Sequence, residues 1–209
     1  MYIEFIDLLR CPQPHEDSWL VAAFDAMRGR FIVRGSLGCP VCGNRYAIID
    51  GVAMLIPDDP AQALAPGTDE VRGDDSEEAV RAAAMLSLTQ PGALVVLSGD
   101  CCRLASALSE LAEARVLAVN PNVGIEETEG LGVLRCEGVI PIAPRAADGL
   151  MLDISDPAVL SAAAKTLKNG GRIVLPAGTA LPPGFRQLAT DDKYVVGERI
   201  PDLISLSRQ

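Results

Sequence analysis

Hydrophobic positions along the chain fall into two regimes. In the first sixty residues the apolar runs are short and broken. Phe5, Ile6, Leu8 and Leu9 lie at helical spacing, and Cys11-Pro12 ends that turn. Runs at 18–24 and 30–34 read as strands, joined by Asp25-Ala26-Met27-Arg28-Gly29 as a hairpin. Residues 45–56 read as two more short strands about the Asp50-Gly51 turn.

From residue 76 the runs lengthen and alternate in type. Asp75-x-x-Glu78 has the form of a helix cap, with the helix running to about Leu88. Leu94-Val95-Val96-Leu97 is apolar without a break, as in a strand buried on both faces. Residues 103–114 carry Leu104, Leu108 and Leu111 at helical spacing, and Val116-Leu117-Ala118-Val119 is a second buried strand. Strands follow at 131–134 and 149–152. Asp156-Pro157 opens a helix with proline at its first position, lined by Leu160, Ala164 and Leu167 and ended by Asn169-Gly170-Gly171. Arg172-Ile173-Val174-Leu175 is a fifth strand, and residues 193–196 and 203–206 form a closing antiparallel pair. The pattern predicts an α/β fold: a small β module at 1–57, a linker at 58–75, and a Rossmann-like domain with a mainly parallel sheet at 76–209.

Charge sharpens this division. Residues 61–90 hold two basic against six acidic residues, out of a chain net charge of −10. This short stretch, with Pro66, Gly67 and Gly73, reads as a solvated acidic linker. The acid excess and the presence of only three lysines exclude a general nucleic-acid or anionic-membrane binder. A zinc-ribbon nucleic-acid module is disfavoured as well, because the first sixty residues lack a basic-aromatic stripe. Met1-Tyr2-Ile3-Glu4 does not resemble a secretion signal, and the uncharged run 82–99 is broken by Gln90-Pro91-Gly92. A reducing, cytoplasmic location is expected, with thiols free or metal-bound. A mean hydropathy of +0.24 leaves room for an apolar contact surface between the two parts or toward a partner, either another protein or a second copy of the chain in a homo-oligomer.

Cys39-x-x-Cys42-Gly43 is a metal-ligand spacing: a two-residue gap lets both thiolates face one tetrahedral ion. Cys11 and His15, the chain's only histidine, supply a second pair. Together Cys11, His15, Cys39 and Cys42 make a closed Cys3His set, suited to structural zinc. The stretches Leu8-Leu9-Arg10-Cys11-Pro12, Cys39-Pro40-Val41-Cys42-Gly43 and the run from Tyr46 through Asp50-Gly51 to Leu55 resemble the small zinc-binding activator subunit of methyltransferases. The resemblance covers about 57 residues. It implies a module that docks on a methyltransferase and covers an apolar surface there, with the partner here supplied in cis. That family has a second cysteine where this chain has Pro14, and His15 follows one residue later.

The run from Asp156-Pro157 through Gly170-Gly171 to Leu175, with Ile140-Pro141-Ile142 before Asp148-Gly149-Leu150, resembles a class I S-adenosylmethionine-dependent methyltransferase over residues 76–209. The resemblance implies a glycine-rich loop after the first strand, where backbone approaches the cofactor. The matching stretch is Ser98-Gly99-Asp100-Cys101-Cys102, with Ser98, Asp100 and Cys102 at the glycine positions. The ribose-binding acid is replaced by Asn120, which offers one carbonyl acceptor. The acid expected at the adenine falls at Cys136 or Glu137, and the register favours Cys136. These three departures imply weakened or lost S-adenosylmethionine binding. The expectation is a non-catalytic, methyltransferase-like scaffold, activator or subunit with a structural zinc module. The competing expectation is a divergent active methyltransferase on a small molecule or protein. Cys101-Cys102 as a redox pair or nucleophile is disfavoured, since neither a histidine nor a basic cluster lies near.

Overall fold

The computed structural model describes residues 1–56, 75–125 and 128–201. The expected acidic linker falls largely on 57–74, outside the described residues. A 3-10 helix at Ile3–Leu8 precedes a four-stranded meander: β1 (Val21–Arg28), β2 (Phe31–Gly38), β3 (Arg45–Ile49) and β4 (Val52–Leu55). Then follow α1 (Ser76–Leu86), β5 (Leu94–Ser98), a 3-10 helix at Gly99–Leu104, α2 (Ala105–Ala112), β6 (Arg115–Val119) and β7 (Leu131–Cys136). The remaining elements are β8 (Ala147–Leu152), α3 (Pro157–Ala164), β9 (Leu167–Pro176), β10 (Phe185–Thr190) and β11 (Tyr194–Arg199).

The seven strands from β5 onward stand in the order β7-β6-β5-β8-β9-β11-β10. The first five are parallel, and β11 is antiparallel to both its neighbours, β9 and β10. Counted from β5 this is 3-2-1-4-5-7-6, the Rossmann order for five strands with the last two exchanged. It is the expected methyltransferase-like α/β fold. Continuous apolar runs make these strands: Leu94, Val95, Val96 and Leu97 are fully buried, with Val95 and Leu97 on one face and Val96 on the other. α1 and α2 cover the first face through Ala79, Ala82, Leu86, Ala105 and Leu108. The second face carries α3 and the opening 3-10 helix, through Leu160, Phe5 and Ile6.

The meander joins this sheet rather than standing beside it. β4 pairs in parallel with β7, from Val52 opposite Val133 to Leu55 opposite Cys136, so all eleven strands make one sheet. Each side gains from the pairing. β4 is too apolar for a solvated edge, with Ala53, Met54 and Leu55 buried, and β7 would otherwise expose a parallel-sheet edge.

Several local expectations are corrected. The helix after Pro157 stops at Ala164, and Leu167 opposite Ala147 already belongs to β9. Lys168, Asn169, Gly170 and Gly171 therefore lie inside a bulged strand, not at a helix end. Asp156 does cap that helix, accepting from the N–H groups of Ala158 at 2.8 Å and Val159 at 3.2 Å. Asp75 makes no side-chain cap, because its carboxylate is drawn to Arg103. The helix expected over 103–114 is a 3-10 turn followed by α2, which ends at Ala112. The partner of β11 within the closing pair is β10, whose largely exposed face hides its strand signal. Residues 203–206 lie outside the described residues. No helix among the described residues is long and apolar enough to cross a membrane.

Candidate metal centre and cofactor edge

Cys11 follows the opening 3-10 helix, and Cys39 and Cys42 sit in the turn between β2 and β3. The Gly43 N–H bonds back to the Cys39 carbonyl at 3.0 Å, closing that turn. These residues converge with His15 so that four ligand atoms lie within 4.8 Å of one another. Cys11 Sγ is 3.7 Å from Cys42 Sγ, and His15 Nε2 is 3.4 Å from Cys39 Sγ. A tetrahedral zinc ion with ordinary bond lengths sets such edges at about 3.8 Å for sulfur–sulfur and about 3.6 Å for sulfur–nitrogen. The donor set and its spacing thus fit a metal ion of this kind.

Surrounding groups prepare the donors. His15 Nδ1 lies 2.6 Å from the Glu16 carbonyl oxygen, so the ring's proton is held there and the Nε2 lone pair faces the thiols. Burial disfavours a Cys39 thiolate, yet the N–H groups of Cys42 and Val41 outweigh it and bring the thiol down to about 6. Burial pushes the Cys11 thiol up, opposed by the Tyr46 hydroxyl 3.5 Å away. The Tyr46 phenol is itself pushed up to about 12, first by burial and then by Cys11. Tyr46 and the Glu16 carbonyl carry no sequence signal of this role. Only folding brings them to the centre.

At the carboxyl edge of the sheet, the stretch after β5 is a 3-10 turn that runs straight into α2. Ser98 is buried and its Oγ accepts the Asp153 N–H at 3.0 Å, linking the exits of β5 and β8. Gly99 has φ +58°, and a Cβ there would lie 3.1 Å from the Asp153 side chain. Cys102 points inward, fully buried, with its thiol 3.6 Å from the Val119 carbonyl. Asp100 lies 3.4 Å from the Arg103 guanidinium and accepts from Asn122 Nδ2 at 3.5 Å.

Asn120, at φ +50°, spans the exits of β6 and β7. Its Nδ2 donates to the Cys136 carbonyl at 2.8 Å, and its Oδ1 accepts the Cys136 N–H at 2.9 Å. Both ends of the amide are therefore committed to one peptide unit on each side of Cys136. Glu137 is exposed at the start of the following loop.

A second cluster escaped sequence reasoning because its members are far apart in the chain. Arg103 pairs with Asp75, with Glu78 at 2.7 Å and with Asp100, and Tyr194 Oη donates to Glu78 at 2.7 Å. Burial works against the Arg103 charge, but Glu78 and the other carboxylates more than reverse this and hold the guanidinium protonated. The Tyr194 hydroxyl, followed by Arg103, holds the Glu78 carboxyl below its usual range. The network ties α1 to the turn after β5 and to β11. Cys101 and Cys102 are both pushed up to about 12, mainly by burial, which leaves them protonated and poor nucleophiles.

No protein-family model matches the chain, and no curated protein sequence matches it. Solved structures with a similar fold include a 1,6-didemethyltoxoflavin N1-methyltransferase of Burkholderia thailandensis with bound S-adenosylhomocysteine. It is 13% identical, over 61% of this chain and 80% of that one, with a TM-score of 0.44. A geranyl diphosphate methyltransferase in complex with S-adenosylmethionine is 14% identical, over 48% of each chain, with a TM-score of 0.39. Phosphoethanolamine N-methyltransferase 2 of Haemonchus contortus is 11% identical, over 55% of this chain and 30% of that one, with a TM-score of 0.40. The chain spans less than half the length of the last two. These likenesses are too distant to bear on activity, and the fold assignment rests on the strand order itself.

Proposed function

We propose that this chain is a methyltransferase-like protein that transfers no methyl group and acts as a scaffold, activator or subunit in a protein assembly, with structural zinc at Cys11, His15, Cys39 and Cys42. The observation that carries this reading is the two-way bond between Asn120 and Cys136. A ribose-binding carboxylate at that position would keep a second oxygen to accept from a ribose hydroxyl, whereas this amide has one oxygen, which accepts from Cys136, and turns its nitrogen to the Cys136 carbonyl, tying β6 to β7. The inward Cys102 and the Arg103–Asp75–Glu78 network support the same reading, because they turn the neighbouring edge into packed structure. The parallel pairing of β4 with β7 supports a module held in cis, as the resemblance to the activator subunit implies. Three cysteines on zinc, with Cys101, Cys102 and Cys136 as thiols, suit a reducing cytoplasmic setting.

Calorimetric titration with S-adenosylmethionine and S-adenosylhomocysteine tests the reading. No binding tighter than about 100 μM is expected, a threshold of about −5.5 kcal/mol. Tighter binding would favour a divergent active methyltransferase. Metal analysis of the purified chain is expected to return close to one zinc per molecule.

A further inference from the structure

We propose that the Cys/His centre governs the order of the loop that leaves β7, residues 137–143, and so couples metal binding to the sheet edge at Asn120 and Cys136. The proposal rests on the zinc reading above and extends it to what the ion does. The near end of this loop is fixed by Asn120 through both polar groups flanking Cys136. Its far end is held by the segment that leads into the metal ligands. The Arg10 N–H donates to the Pro141 carbonyl at 2.8 Å, and the Ala143 N–H donates to the Leu8 carbonyl at 2.7 Å. Leu9 forms an isolated bridge with Ile142 between these bonds, and Leu9, Ile140 and Ile142 are all buried.

Cys11 is the next residue along. Its N–H donates to the Ser18 carbonyl at 3.0 Å, and Arg10 bridges Trp19 with its guanidinium 5.1 Å from the indole ring. Residues 9–11 belong to no regular strand: Leu9 is anchored by burial against Ile140 and Ile142, while Arg10 and Cys11 are fixed by isolated backbone bonds and, when zinc is bound, by the Cys11 ligand bond. Segments held by so few bonds open locally at low cost. Binding free energy released at Cys11 is therefore transmitted within two residues to the loop. By linkage the effect is reciprocal: whatever orders the loop tightens the metal.

Hydrogen exchange on the full chain, zinc-loaded and after chelation, tests this. Removing zinc is expected to speed exchange of the Arg10 and Ala143 amides about tenfold or more while β5 stays protected, with recovery on adding zinc back. Fluorescence of Trp19, the chain's only tryptophan, is expected to follow the same titration. Ile142→Ala is expected to weaken zinc about fivefold against a chromophoric chelator, while Val139→Ala, exposed on the same loop, leaves it unchanged. Zinc that binds and leaves without altering loop exchange overturns the coupling and spares the zinc reading. Equal loss of protection in the loop and in β5 also overturns the coupling, since the ion would then hold the whole fold. Absence of zinc binding overturns both.

Discussion

Asn120→Asp restores the residue type expected in a cofactor-binding methyltransferase at the cost of a native contact. The substitution keeps the acceptor for the Cys136 N–H, 2.9 Å away in the native chain, and removes the donor that bonds the Cys136 carbonyl at 2.8 Å. A carboxylate oxygen would then face that carbonyl oxygen. The loss of one such bond together with an unfavourable contact, moderated by solvent at this exposed residue, is about 1–2 kcal/mol. For a domain of this size that lowers Tm by about 2–8 °C. The backbone contributes little, because aspartate tolerates the positive φ nearly as well as asparagine. The penalty has a pH signature. A protonated carboxyl can donate to Cys136, so the fold raises the introduced group's pKa. The contribution of the bond is then present below the ordinary aspartate value of about 3.9 and disappears as pH rises through the raised folded value. Thermal unfolding of the native and variant chains at pH 4 and pH 7 measures this. A variant as stable as the native chain at pH 7, or one destabilised equally at both pH values, would refute the role given to the amide. On the proposed reading the variant also shows no measurable S-adenosylhomocysteine binding, since the turn after β5 is unchanged.

Three further outcomes are expected. Arg103→Ala leaves Asp75 and Glu78 without their shared cation and, allowing for partial solvent exposure, should cost about 2 kcal/mol in urea unfolding. Because the Glu78 carboxyl is held low in the fold by Tyr194 and Arg103, its stabilisation is present above the usual carboxylate range and is lost as pH falls through the lowered value. The variant should therefore show a shallower acid limb, and an unchanged limb would contradict the network. Thiol titration after chelation should find the exposed Cys42 reacting quickly at pH 8 and Cys101, Cys102 and Cys136 slowly, since burial drives the last three up to about 12. More than three fast thiols in the folded chain would refute that assignment. Gly51→Ala places a Cβ 2.2 Å from the Phe31 ring at φ +79°, whereas Gly43→Ala at φ +75° meets nothing within 4 Å. The first should cost more than about 3 kcal/mol and the second about 1–2 kcal/mol, the left-handed backbone penalty alone. Similar costs for both would show that the Phe31 contact relaxes.

The legible parts of the fold were those with a local cause. Val95 and Val96 face opposite sides of the sheet, so burial on both faces demanded an unbroken apolar run, and that run is visible in one dimension. The candidate metal ligands were legible for a related reason, since the two-residue gap between Cys39 and Cys42 is itself a geometry that can bring two sulfurs to one ion. The strand β10 was not legible, because an exposed edge strand puts few constraints on its side chains. Nor was the start of β9, where Asn169-Gly170-Gly171 reads locally as a helix terminator. Pairing of Leu167 with Ala147 overrides that local preference.

Sequence alone determined the alternation of strands and helices, the two-regime hydrophobic pattern and the four candidate metal donors, because periodicity and spacing are local properties of a chain. Tertiary structure alone decided that β4 closes onto β7, that Asn120 spends its amide on Cys136, and that Arg103 gathers Asp75 and Glu78. These contacts join residues from 16 to 81 positions apart in the chain. Their energies depend on which strands become neighbours, and a residue's type states what it can bond without stating what it will meet.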